Sequence, residues 1–188
     1  MQKLSPSNFL DLTNEIINIR RFTNQEVENK DLDLVLSAFR NGPSTANQQP
    51  WEVLILSNEQ KEKLVMATLD PFYKSGNLPG QPWIKEAPVV LLITLEDRRT
   101  KARIGDLGIS VNQQDTFAAI QNLRLMAALI GLSSATVREF DSEKVVELLQ
   151  IPHNFRPLAI VAIGFGAEGK EYPPRLAMND FVHKGEMS

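Results

Sequence analysis

The chain has 188 residues, a formal net charge of −3 with acids and bases interspersed, and no cysteine. That length suits one domain burying on the order of 70% of its unfolded surface, and the charge pattern offers no broad basic face to nucleic acid or anionic lipid. The missing thiol excludes disulfides, thiolate chemistry and Cys-ligated metal clusters. No run of about 18 apolar residues is present to span a bilayer, and Met1-Gln2-Lys3-Leu4-Ser5-Pro6 opens no signal-peptide core, so a soluble cytoplasmic protein is expected.

In chain order, Phe9, Leu12, Ile16 and Ile19 predict a first helix over 8–19, followed by Arg20-Arg21 and an irregular segment to Val27. Leu32, Val35, Leu36 and Phe39 fall at i, i+3, i+4, i+7, and Gly42-Pro43 stops that second helix. The stretch Gly42-Pro43-Ser44-Thr45-Ala46-Asn47-Gln48-Gln49-Pro50-Trp51 then packs turn formers, hydroxyls and carboxamides between two rigid elements. Short hydrogen-bonding side chains held this way can converge on a planar heteroaromatic ligand at little entropic cost, although an ordinary polar loop has the same composition.

Val53–Leu56 predicts a strand, and Ser57-Asn58-Glu59-Gln60 caps a third helix over 59–69. Gly76, Pro79, Gly80 and Pro82 mark a long loop ending at Trp83, whose Phe72, Tyr73 and Trp83 either wall a substrate site or only pack the loop down. Val89–Leu95 lacks polar alternation and predicts a central strand covered on both faces. The basic run Asp97-Arg98-Arg99-Thr100-Lys101-Ala102-Arg103 carries no aromatic for base stacking and reads as a solvated loop or helix face. Ser110 to Gln113 predicts a capping box for the longest helix, 113–130, which Gly131 closes; Asp115 then complements the helix dipole. The second half of this helix, Leu125 to Ile130, is apolar nearly all round, so it must be buried in the domain or in a subunit interface. A short strand at 135–137, a helix over 141–150 and a strand at 158–163 follow, and the Gly-, Pro- and charge-rich tail predicts an extended arm. Strands interleaved with helices imply an α/β or α+β class with a mixed sheet between helical layers.

Gly164-Phe165-Gly166-Ala167-Glu168-Gly169 matches a dinucleotide fingerprint, but Lys170-Glu171-Tyr172-Pro173-Pro174 cannot supply the helix whose N-terminus would hold a pyrophosphate. His153 and His183 stand alone without an acidic cluster at ligand spacing, so no metal site is expected, and Ser44, Ser133 and Ser134 lack a nucleophile setting. No side chain is singled out as catalytic. What remains is the carboxamide loop, the Val137-Arg138-Glu139-Phe140 turn, and anion binders at Arg20-Arg21 and Arg175. Together they would serve a ligand with a phosphate at one end and a flat polar ring at the other.

These features, in this order, resemble the nitroreductase family of flavin mononucleotide enzymes over nearly the whole chain. Pro43-Ser44-Thr45-Ala46-Asn47-Gln48-Gln49-Pro50-Trp51 is similar to the family's P-S-x-x-N-x-Q-P-W loop, with Val27 at the family's distance before it. Asp115 through Gly131-Leu132 is similar to its D-x-x-x-A-x-Q-N-L helix, and Ile163-Gly164-Phe165 to its I-G-Y/F strand end. The family's opening R-R-S-x-R falls on Ile16-Ile17-Asn18 without a gap, or on Arg20-Arg21 after a short deletion. Glu139 replaces a glycine common at the turn, and Pro173 a lysine before the late arginine.

The resemblance implies an α+β (α/β/α) nitroreductase-like fold: a central mixed β-sheet flanked by helices, an extended C-terminal arm, and residues 1–188 as a single FMN-binding domain. It implies a homodimer with FMN at the interface, contacted by both subunits, and NAD(P)H as co-substrate. Arg20, Arg21 and Arg175 would pair with the phosphate; Pro43, Ser44, Thr45, Asn47 and Gln49 would contact ribityl hydroxyls or ring carbonyls. Val137, Arg138 and Glu139 would present backbone amides near N5 and O4, where a donor favours the reduced flavin. The implied activity passes a hydride from NAD(P)H through flavin N5 to an electron-poor small molecule such as a nitroaromatic or quinone. A flavin-binding or interaction dimer of the same fold with little turnover is the alternative.

Overall fold

All seven residues of the strand Val89–Leu95 are buried, and a strand buried on both faces requires a layer on each side. A computed structural model describes residues 5–69 and 80–187, and its layers follow from that demand. The helices are α1 (Pro6–Asn14), α2 (Asn29–Arg40), α3 (Asn58–Val65), α4 (Arg98–Ile104), α5 (Leu107–Leu129), α6 (Ser142–Leu149) and α7 (Met178–Phe181). The strands β1 (Trp51–Ile55), β2 (Val89–Leu95), β3 (Ser133–Val137) and β4 (Arg156–Gly164) form one sheet in the order β1-β2-β4-β3.

The period-2 geometry of β2 divides the core. Val89, Leu91 and Ile93 pack with Val35 and Phe39 of α2 and with Ala119, Ile120, Leu123 and Ala127 of α5. Val90 and Leu92 face the other way, onto Leu64 of α3, Ile84, and Val145 and Leu149 of α6. The result is the expected α/β/α arrangement.

Three sequence expectations shift. The sheet is not mixed: β1–β2, β2–β4 and β3–β4 all pair antiparallel, and among the described residues parallel pairing is confined to the isolated Asn18–Ser134 bridge. Apolar patterning fixes which residues are buried but not the direction of a strand, so this was not readable from the chain. The first helix stops at Asn14, and Ile19 is buried from an extended segment rather than a helical face. The longest helix starts at Leu107, so Ser110 lies inside it and the predicted capping box is absent; Asp115 sits more than two turns in, where the dipole argument does not reach. The Ser57–Gln60 box is present in full: Gln60 N–H donates to Ser57 Oγ at 3.3 Å and Ser57 N–H to Gln60 Oε1 at 2.9 Å. The basic run forms α4, whose Arg98 and Arg99 pair with the nearly buried Glu96. Past Gly166 the tail lies exposed, with Leu176, Met178 and Phe181 open to solvent.

Candidate functional site

The extended segment after α1 is laced to the far edge of the sheet. Ile19 N–H donates to Ser134 O at 3.2 Å, Thr23 N–H to Phe165 O at 2.8 Å, and Ala167 N–H to Arg21 O at 2.9 Å, while Ile19 and Phe22 are buried. In extended backbone consecutive side chains diverge. Arg20 therefore lines a cleft, whereas Arg21 turns to Glu86, its Nε 3.7 Å from Oε2. Both were expected to serve one phosphate; Arg20 lies on the cleft wall and Arg21 is not among the residues lining it.

That cleft, of about 800 Å³, is walled by Ile16 to Arg20, by Arg124, and by Glu168 to Glu171, Pro173 and Arg175 of the tail. It brings together Arg20 and Arg175, separated by most of the chain. Glu168 shares the wall and accepts the Arg20 backbone N–H at 2.9 Å. Lys170, also on the wall, pairs with Glu15 of the loop after α1, and Tyr172 Oη donates to the same carboxylate at 2.9 Å. The hydrogen bond from Lys170, then that from Tyr172, holds the Glu15 carboxyl below its ordinary range.

Arg124 reaches the cleft from the middle of α5. Its Nε donates to Ser134 Oγ at 3.2 Å, and its Nη2 donates to Ile17 O and Asn18 Oδ1, both at 3.0 Å. Asn18 Oδ1 also accepts Thr136 N–H at 3.2 Å. Burial lowers the Arg124 pKa from the ordinary arginine value, although a guanidinium keeps its proton.

The carboxamide loop is a second centre. Gly42 lets it start hard against α5: a Cβ there would lie 2.4 Å from Ala119 Cβ. Ala46, Asn47 and Gln49 all have positive φ, at 52°, 54° and 47°, a region costing an L-residue roughly 1–2 kcal/mol. Opposing that strain, Thr45 N–H donates to Asp115 Oδ2 at 2.7 Å, Gln49 N–H donates to Ser44 Oγ at 3.1 Å, and Gln49 Nε2 donates to Asn47 Oδ1 at 3.2 Å. The loop's exit is fixed by Glu96 N–H donating to Pro50 O at 2.8 Å. Pro43, Thr45, Asn47 and Gln49 are exposed. Strain held by an ion and a sheet edge, with polar side chains presented outward, is what a binding loop requires.

At the end of β3, Val137 is buried and offers only backbone. Arg138 is exposed and lays its guanidinium 5.9 Å from the centroid of the Phe117 ring. Its backbone N–H donates to the Glu139 carboxylate, Oε2 at 3.2 Å, while Glu139 O accepts Leu69 N–H at 2.8 Å.

Neither the carboxamide loop nor the Val137–Glu139 turn contributes to the cleft wall within one chain. Of the aromatic loop, Trp83 is half-buried and stacks on Phe22 with centroids 6.4 Å apart, whereas Phe72 and Tyr73 lie outside the described residues. Sequence reasoning gave no site role to Arg124, Asn18, Ser134 or Lys170. One signal was present: Arg124 is the lone charge in the apolar run from Leu123 to Ile130. No group of His, Asp and Glu able to hold a metal occurs among the described residues, and no helix among them is long and apolar enough to cross a membrane.

The family model described as Nitroreductase family matches residues 18–165. The FMN reductase (NAD(P)H) of Bacillus subtilis is 26% identical over 180 residues, covering 88% of this chain and 69% of that protein. A nitroreductase family protein from Streptococcus pneumoniae TIGR4 superposes with a TM-score of 0.80 at 21% identity, covering 94% of this chain and 99% of that one. An FMN-dependent nitroreductase from Clostridium difficile R20291 superposes with a TM-score of 0.77 at 21% identity, covering 95% and 99%.

Proposed function

The chain belongs to the nitroreductase family, and on that premise we propose an FMN-dependent NAD(P)H oxidoreductase acting on an electron-poor small molecule such as a nitroaromatic or quinone. When bound, FMN supplies the hydride chemistry between NAD(P)H and the acceptor. The observation that carries the reading is the cleft that gathers Arg20, Lys170 and Arg175 from opposite ends of the chain onto one wall. Those residues fit the group, since a dianionic phosphate monoester matches a wall whose four cations, Arg20, Arg124, Lys170 and Arg175, outnumber its two carboxylates, Glu168 and Glu171.

The remaining work belongs to this chain's own residues. Arg20 and Arg175 bind and orient the phosphate. Ser44, Thr45, Asn47 and Gln49 offer hydroxyl and amide groups from a strained, prearranged loop, which limits the entropy lost on binding. At the end of β3, Glu139 offers its backbone N–H. Because the loop and the cleft are apart in one chain, the site is complete only when a second copy brings its loop to this copy's cleft. A homodimer is therefore part of the proposal, and the exposed Leu176, Met178 and Phe181 of the tail and Leu107 and Ile109 of α5 suit burial in it.

One observation favours a second reading, a flavin-binding dimer with little turnover. The Glu139 carboxylate already occupies the Arg138 N–H, which would otherwise be offered to the ligand ring. The visible spectrum after incubation with FMN and desalting, followed by NAD(P)H oxidation with a quinone, tests both. Retained flavin with rapid oxidation supports the oxidoreductase, retained flavin without oxidation supports the second reading, and a colourless protein contradicts both.

A further inference from the structure

Arg124 is a puzzle as a structural residue. It sits in the apolar half of α5, is half-buried, and meets only neutral oxygens: Ser134 Oγ, Ile17 O and Asn18 Oδ1. No carboxylate pairs with it among the described residues. Even a partly desolvated charge without a counter-charge costs stability. If Arg124 served only to tie α5 to the segment before Arg20, a neutral amide could make similar bonds without desolvating a charge. The side chain is nonetheless held at three points, which fixes the guanidinium plane, and Nη1 makes no bond within the described residues. Arg124 also lines the cleft, where it is flanked by Ile16 and Ile17 and faces the tail that carries Arg175.

We propose that Arg124 is the fixed cation of the phosphate subsite: α5 supplies from beneath the guanidinium that the apolar Ile16-Ile17 edge does not, and the anion completes a charge pair left open by the fold. The inference rests on the FMN reading above and narrows it to a residue. The ligand chemistry is a phosphate monoester, with Arg20 and Arg175 as partners on the same wall and Asn18 and Ser134 as positioning residues that aim Arg124.

The test compares FMN with riboflavin, which keeps the ring and ribityl chain but lacks the phosphate, by quenching of flavin fluorescence on the full chain. The wild-type protein is expected to bind FMN more tightly than riboflavin. Arg124→Gln is expected to weaken FMN about tenfold to a hundredfold, the value of one charge-assisted contact, and to leave riboflavin within about twofold. An unchanged FMN-to-riboflavin ratio in Arg124→Gln overturns the inference while leaving the FMN reading intact. A wild-type protein that binds neither flavin overturns that reading, and the inference with it.

Should the Gln variant fold poorly, the wild-type protein gives the answer by itself. The Arg124 Nε–H resonance, assigned by its loss in the Arg124→Lys spectrum, is expected to shift with FMN and with inorganic phosphate but not with riboflavin. No shift at saturating FMN overturns the inference. Inorganic phosphate that displaces FMN but not riboflavin supports it; phosphate that shifts the resonance while leaving FMN bound assigns Arg124 to some other anion and overturns it.

Discussion

The two ends of the proposed site are built in opposite ways. The carboxamide loop is one continuous stretch, strained at Ala46, Asn47 and Gln49 and locked by Asp115 and by the Glu96 bond to Pro50. The cation-lined cleft is assembled from the segment before Arg20, the middle of α5, and the tail. The loop has its geometry stored in local backbone, so it is rigid before any ligand arrives. The cleft takes its geometry from the packing of distant segments, and its tail side is held by exposed side-chain bonds from Lys170 and Tyr172 to Glu15. A planar ring demands fixed donors, whereas a phosphate tolerates adjustable ones.

That contrast is most sharply broken at the loop's hinge. Gly42→Ala drives a methyl group into Ala119, and a loss of about 3 kcal/mol in unfolding free energy is expected by denaturant titration. Asp115→Ala removes the carboxylate that accepts Thr45 N–H; about 2 kcal/mol of stability should go with it in the same assay, together with flavin affinity, because the loop loses its anchor. Ala46→Gly works in the other direction. Relief of a positive φ should raise thermal stability by about 1 kcal/mol, and unchanged stability would show that the loop is not strained.

The smallest effect belongs to the cleft's tail. Glu15 has a carboxyl pKa lowered in the fold by Lys170 and Tyr172. Its contribution to stability is present above the unfolded value of about 4.3 and is lost as pH falls through the lower folded value. Glu15→Gln should thus reduce the acid-limb slope, by less than about 1 kcal/mol because the pair is exposed and screened. Acid titrations of the two proteins followed by circular dichroism check it.

The same contrast explains how much was legible in the chain. The loop was readable because its residues are contiguous and their types, Gly, Pro, Ser, Asn and Gln, act through local backbone chemistry. The double burial of β2 was readable from Val89 to Leu95 for the same reason. The cleft was readable only as scattered arginines, since nothing local says that residue 20 and residue 175 share a wall. The direction of β1 against β2, the end of α1 at Asn14, the start of α5 at Leu107 and the turning of Arg21 toward Glu86 are all settled by tertiary contacts with no counterpart in nearby sequence. Asp115 shows the limit best. Its proximity to a presumed helix start suggested a dipole partner, while its actual hydrogen-bond partner, Thr45, is far away in sequence.

Sedimentation of the FMN-loaded protein, detected at the flavin absorbance, tests the central claim most directly, because a site made from one copy's cleft and another's loop must carry its flavin on two chains. The account predicts that the flavin signal travels with a species of twice the chain mass. Flavin travelling with a single chain, or free of protein altogether, would contradict it.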